Sequence, residues 1–145
     1  MNQDTSKFNA AKEAVKLVKN GMIVGLGTGS TAKIAVDLLG ERLSNDFQIV
    51  GMPTSIKTKN QADCLGINLI GIDDAETIDI AIDGADEVSP DLSLIKGLGG
   101  ALLREKKVEK KAKELIIIVD ESKIVEKTLS ASVKLSISIN ILTIQ

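Results

Sequence analysis

The chain has 145 residues, enough for one domain with a sizeable core, and 43 % are apolar against 26 % charged. A net charge of -2 argues against a bulk attraction for nucleic acid, no histidine is present for a catalytic triad, and one cysteine, Cys64, cannot form an intrachain disulfide. With no His and one Cys a zinc site is not expected, and no apolar run is long enough to span a bilayer. The first twenty residues carry Asp4, Lys7, Lys12 and Glu13 where a signal peptide needs an apolar core, so a cytoplasmic protein is expected.

From Asp4 to Lys19, Phe8, Ala11, Ala14, Val15 and Val18 recur at helical spacing, and Asn20-Gly21 predicts the helix end. Met22 to Leu26 reads as a buried strand. It runs into the glycine-rich turn Gly25 to Ser30, and a helix follows over about Thr31 to Leu43. Phe47 to Gly51 reads as a second strand, Pro53-Thr54-Ser55 as a helix start with a hydroxyl cap, and a helix to about Cys64 fits. Leu65 to Ile70, Ile78 to Ile82, Leu92 to Ile95 and Leu115 to Val119 are further strand-like runs. A helix over Gly99 to Lys113 carries Leu102, Leu103, Val108 and Ala112 as its apolar stripe. From Thr128 the composition changes, and Val133 to Ile141 alternates like a strand with one apolar face.

Continuous apolar strands separated by amphipathic helices predict an α/β fold with a mostly parallel sheet and helices on both faces. Ligands in such folds bind beyond the carboxyl ends of the strands. The glycine-rich turn, Asp83-Gly84-Ala85-Asp86, Lys96-Gly97 and Asp120 each follow a strand-like run, so they should gather at one edge.

In the turn Gly25-Leu26-Gly27-Thr28-Gly29-Ser30-Thr31 the glycines admit an anion close to the backbone. The first helical amides and the hydroxyls of Thr28, Ser30 and Thr31 favour phosphate; a tight turn with a hydroxyl cap is the alternative. The spacing is not that of a dinucleotide fingerprint, and Val50-Gly51 lacks the acidic residue that would hold a ribose. Asp83, Asp86 and Glu87 after Ile82 could exchange protons with sugar hydroxyls, bind a metal, or simply form a polar turn. Lys96-Gly97-Leu98-Gly99-Gly100 offers a lysine to an anion or oxyanion. Charge pattern alone reads Arg104-Glu105-Lys106-Lys107 as a solvated helix face, and Asp120-Glu121-Ser122-Lys123 as a capped turn.

Taken together, these segments resemble the ribose-5-phosphate isomerase A family, in order, over roughly residues 3 to 127. The resemblance implies a Rossmann-like catalytic domain over 1–127 that interconverts D-ribose 5-phosphate and D-ribulose 5-phosphate through a cis-enediol-type intermediate, without metal or organic cofactor. It implies that Thr28, Gly29, Ser30, Thr31 and Lys123 hold the substrate around its phosphate, and that Asp83, Gly84, Ala85, Asp86, Lys96, Gly97, Leu98 and Gly99 line the sugar. Glu105 would be the base, Asp83 and Asp86 would assist proton movement, and Lys96 would steady the oxyanion. A dimer is expected from the family. Residues 128–145 form a divergent tail in place of the family's second, smaller α+β domain, which predicts weak activity, marginal stability or association through the tail. Rival readings are a sugar-phosphate deaminase, which the absence of His disfavours, a coenzyme A transferase, or a remnant that binds sugar phosphate without turnover.

Overall fold

Six strands, all paired in parallel, form the central sheet in the order Asn68–Leu69, Val50–Pro53, Ile23–Leu26, Ile78–Asp83, Ala112–Val119 and Ser138–Thr143. The computed structural model describes residues 3–90, 94–95, 102–124 and 138–143. In chain order the elements are α1 (Gln3–Val15), β1 (Ile23–Leu26), α2 (Ser30–Arg42), β2 (Val50–Pro53), α3 (Ile56–Leu65), β3 (Asn68–Leu69), β4 (Ile78–Asp83), β5 (Glu87–Val88), β6 (Leu94–Ile95), α4 (Leu102–Lys111), β7 (Ala112–Val119) and β8 (Ser138–Thr143). The α/β class and the parallel sheet agree with the sequence reading.

Strand alternation sends successive side chains to opposite faces. Ile80, Ile82, Ile116 and Ile118 pack with α1, α2 and α3 on one face. Ala81, Leu115, Ile117 and Val119 pack with Val108 and Ala112 on the other. Two cores result, one under three helices and one under α4. Each fully buried aliphatic side chain in them contributes about 1.5–3 kcal/mol.

Several boundaries differ from expectation for physical reasons. Helix α1 stops at Val15, five residues short of Asn20. The Arg42 guanidinium donates to the carbonyls of Val15 and Val18 and stacks on Phe47, which satisfies carbonyl groups at and just past the helix end. Gly21, at φ 85°, serves the turn into β1. Phe8 is largely exposed, and Ala10 takes its place in the core. Strand β2 lies three residues later than expected and ends on Pro53, opposite Leu26, where a missing donor is tolerated. Leu65 closes α3, and Gly66 adopts the left-handed cap at φ 81°, so β3 keeps only two residues. Strand β6 joins β5 in a separate antiparallel ribbon.

The helix expected over Gly99–Lys113 is α4, which ends at Lys111, and Ala112 and Lys113 open β7 instead. Residues 96–101 lie outside the described residues, and so do 125–137, which include the start of the alternating tail stretch. The tail's described strand, β8, runs six residues alongside β7 from Glu114↔Ser138 to Val119↔Thr143.

Gly25 in β1 fixes how closely α4 sits. A Cβ there would stand 2.8 Å from Val108 Cγ1, 2.9 Å from Ala81 Cβ and 3.0 Å from Ile78 Cδ1. The missing side chain lets the helix rest against the sheet.

Candidate active site

Because all strands of the sheet are parallel, the ends of β1, β2, β4 and β7 share one edge. Three of the four expected segments meet there. Asp83, the last residue of β4, is 1 % exposed. Its Oδ1 accepts from the backbone amides of Thr28, at 3.2 Å, and Gly84, at 2.8 Å. Gly27 makes that approach possible: a Cβ on it would lie 2.2 Å from Asp83 Oδ1 and 2.6 Å from the carbonyl oxygen of Ile82. The amide of Gly27 donates to that same carbonyl at 2.9 Å, so the loop is tied to β4 at two points.

The loop enters α2 through Gly29, at φ 111°, and no side chain caps the first amides of the helix. Those amides and the positive end of the helix dipole therefore face outward for an anion. Gly29 and Ser30 are exposed, Thr28 is half-buried and Thr31 is buried.

Thr28 is anchored by a hydroxyl cluster that the sequence reading did not assign to the site. Its Oγ1 lies 2.7 Å from Thr54 Oγ1 and donates to Ser55 Oγ at 2.9 Å. Thr54 Oγ1 donates to the carbonyl of Leu26 at 2.8 Å, and Thr58 Oγ1 to that of Gly27 at 3.0 Å. Ser55 also caps α3, accepting from the Thr58 amide at 3.1 Å. Thr54 follows β2 directly, so the strand-end rule would have pointed to it.

Glu105 lies in the first turns of α4 and is 5 % exposed, which overturns the solvated-face reading for that residue, while Arg104 and Lys107 are exposed as expected. Glu105, Val108 and Glu109 recur at helical spacing and are buried against the sheet, while Leu103 of the expected apolar stripe is exposed and Ala112 belongs to β7. Helix α4 ends at the start of β7, and β7 runs parallel to β4, so its N-terminal turns lie toward the edge that holds Asp83. Val108 meets Gly25, and Glu105 lies one turn further along toward that edge. Asp83 and Glu105 therefore share one side of the domain. Glu109, 1 % exposed, is a second buried carboxylate of this helix that sequence reasoning did not single out.

Gly84, Ala85 and Asp86 follow β4 and are half-buried. Lys96, Gly97, Leu98 and Gly99 lie outside the described residues. Asp120 directly follows β7 and is 2 % exposed. Its Oδ1 accepts from the Ser122 amide at 2.9 Å and from the Ser122 hydroxyl. Burial pushes its carboxyl up, but those bonds and the charges of Lys123 and Lys7 outweigh that effect and hold it below the ordinary carboxylate value. Lys7, on α1, is a further cation at this edge that motif reading missed. A cavity of about 400 Å³ opens beside the cluster, lined by Pro53, Ser55, Ile56, Lys59 and Arg104 among others. It adjoins the site through Ser55 and holds none of Asp83, Asp86 or Glu105.

In chemical terms the edge combines an uncapped helix start with hydroxyls, a buried carboxylate held by two amides, a second buried carboxylate on a packed helix, and cations after β7 and on α1. That set can bind an anionic group at one end of a small polar molecule and move protons at the other.

The family model of ribose 5-phosphate isomerase A (phosphoriboisomerase A) matches residues 50–145, which includes the tail. A probable ribose-5-phosphate isomerase 3, chloroplastic, of Arabidopsis thaliana is 54 % identical over 127 residues, covering 86 % of this chain and 46 % of its own length. The solved ribose 5-phosphate isomerase A of Methanocaldococcus jannaschii superposes with a TM-score of 0.82 at 47 % identity, over 86 % of this chain and 56 % of that one. A solved D-ribose-5-phosphate isomerase in complex with phospho-erythronic acid gives 0.81 at 46 % identity, over the same shares. The chain thus spans about half the length of the curated relatives it matches. No helix among the described residues is long and apolar enough to cross a membrane. On the agreement of motifs, overall fold and identity, the chain belongs to the ribose 5-phosphate isomerase A family.

Proposed function

We propose that this chain interconverts D-ribose 5-phosphate and D-ribulose 5-phosphate by proton transfer between C2 and C1. The reading is supported by two buried carboxylates, Asp83 held by two amides at the end of β4 and Glu105 in the first turns of α4. Residues 1–127 act as the catalytic unit, with 128–145 as its flank. The substrate's phosphate binds at Thr28, Gly29, Ser30 and Thr31, with Lys123 adding charge. Asp83, Gly84, Ala85, Asp86, Lys96, Gly97, Leu98 and Gly99 line the sugar, and phospho-erythronic acid on a relative supports a ligand of that size and charge.

Asp83, with Asp86 beside it, shuttles protons between ring and carbonyl oxygens as the ring opens. A proton beside a carbonyl is weakly acidic, so its removal needs a placed base and a stabilised oxyanion. Glu105 takes it from C2 and returns it at C1, and Lys96 balances the charge of the enediolate. The phosphate, remote from the reacting carbons, supplies binding energy that orients them. The enzyme works in the cytoplasm as a dimer, without cofactor.

The test is ribulose 5-phosphate formation by the purified chain and its Glu105→Gln variant. The variant should lose a factor of about 100 or more in turnover, with little change in binding and no solvent deuterium at C2. A second reading is that the chain binds sugar phosphate without turnover. Binding with no product in the wild type would select it.

A further inference from the structure

Thr58 is a buried residue of α3 that belongs to no motif of the sequence reading, and its two polar groups face different ways. Its amide donates to Ser55 Oγ at 3.1 Å, as the third residue after a helix cap does. A capping box would place a Glu or Gln here and send its side chain back to the cap amide. Thr58 instead sends its hydroxyl to the carbonyl of Gly27, 31 residues away in sequence, at 3.0 Å.

A carbonyl can only accept, so that bond fixes the direction of every proton behind it. Ser55 Oγ must then donate to Thr58 Oγ1, at 3.0 Å, and Thr28 Oγ1 to Ser55 Oγ, at 2.9 Å. The run of hydroxyls thus leaves from Thr28 and returns to the peptide unit that joins Gly27 to it. The other end of that peptide, the Thr28 amide, donates to Asp83 Oδ1 at 3.2 Å. Thr58 and Asp83 grip one peptide unit, the first by its carbonyl and the second by its amide.

We propose that Thr58 is a positioning residue, whose hydroxyl holds the Gly27–Thr28 peptide with its carbonyl turned inward to α3 and its amide on Asp83. Glycine on one side makes that peptide easy to rotate, because no Cβ resists the change. A half-turn would exchange its two ends. The carbonyl oxygen would then meet the Asp83 carboxylate, and like partial charges at that distance repel. Asp83 would lose one of its two amides, and the backbone leading through Gly29 into α2 would be redirected. Helix α3 supplies no group to the proposed reaction, yet through Thr58 it sets the shape of the loop that receives the phosphate. The role rests on the proposed phosphate site.

The experiment compares wild type, Thr58→Val, Thr58→Ser and Ala62→Gly by amide hydrogen exchange and by calorimetric titration with inorganic phosphate and ribose 5-phosphate. Valine keeps the shape and loses the donor, whereas serine keeps the donor and loses a methyl group. Ala62, fully buried on the same helix, supplies a loss of helix stability that touches no hydroxyl. In Thr58→Val the Thr28 amide should exchange about tenfold faster or more, and both phosphates should bind about tenfold more weakly, in line with the loss of one buried hydrogen bond. Thr58→Ser should restore both properties, and Ala62→Gly should change neither. Unchanged exchange at Thr28, unchanged phosphate affinity, or equal losses in Thr58→Ser or Ala62→Gly overturns the proposal. If Thr58→Val does not fold, the wild type decides: a Thr58 hydroxyl proton protected from exchange supports the role, and one that exchanges as freely as that of exposed Ser30 overturns it. If the wild type binds neither phosphate, the isomerase reading fails and exchange at Thr28 alone decides: faster exchange in Thr58→Val supports the holding role, and unchanged exchange overturns it.

Discussion

Gly27 is the residue on which the site's geometry turns, because it contributes no side chain. Asp83 Oδ1 occupies the space a Cβ would need, and the Ile82 carbonyl blocks retreat. Gly27→Ala should therefore destabilise the fold by about 1–3 kcal/mol, read as a lower urea midpoint at unchanged slope. An unchanged midpoint would show that Asp83 moves aside freely. Asp120 makes a different prediction. Its carboxyl is held below the ordinary carboxylate value in the folded chain, so it contributes stability that is present above the ordinary carboxylate range and lost as pH falls through the folded pKa. Asp120→Asn should flatten the acid limb of the thermal midpoint against pH, and an acid limb of unchanged steepness would contradict it. At this scale the strand-end positions of Thr28, Asp83 and Asp120 were legible, since each follows an apolar run. Glu105 was legible only through family likeness. Its neighbours Arg104, Lys106 and Lys107 make a charged string, and the burial of one member depends on which helix face meets the sheet.

Among the elements, existence and type were easier to read than boundaries. Parallel strands buried on both faces give unbroken aliphatic runs, and these were found. The end of α1 was not, because the carbonyl groups at its end are satisfied by Arg42, twenty-four residues or more along the chain. The tail shows the same limit. Alternation predicted a strand over Val133 to Ile141, and the described strand is Ser138–Thr143, paired along the outer edge of β7 from Glu114 to Val119. The sequence reading expected an apolar strand that must pair to be stable, and β8 is paired. Its loss would bare the aliphatic run Leu115 to Val119 as a sheet edge, an arrangement prone to association. Deleting Thr128 to Gln145 should lower the thermal midpoint and raise the solution mass. A monomer of unchanged midpoint would show that β8 adds nothing.

The whole molecule separates its tasks by layer. Three helices build one core against the sheet, α4 covers the other face, and the chemistry lies along the strand ends between them. This division was predictable from the pattern of runs, whereas the depth of each helix on the sheet was not, since it depends on what fits beneath. Gly25 shows what that depth controls. It touches no proposed ligand, yet it lies under Val108, one turn from the carboxylate proposed as base. Adding a single methyl group at position 25 inserts a shim beneath the helix. A displacement on the order of 1 Å at a reacting group can cost a factor of about 100 in rate. Gly25→Ala should accordingly depress turnover while leaving the affinity for ribose 5-phosphate near its original value, and equal losses in both would show that the methyl disturbs the loop and not the helix. The hydrogen atom that serves as the Gly25 side chain thus works as a gauge, setting from behind the reach of a base to its carbon.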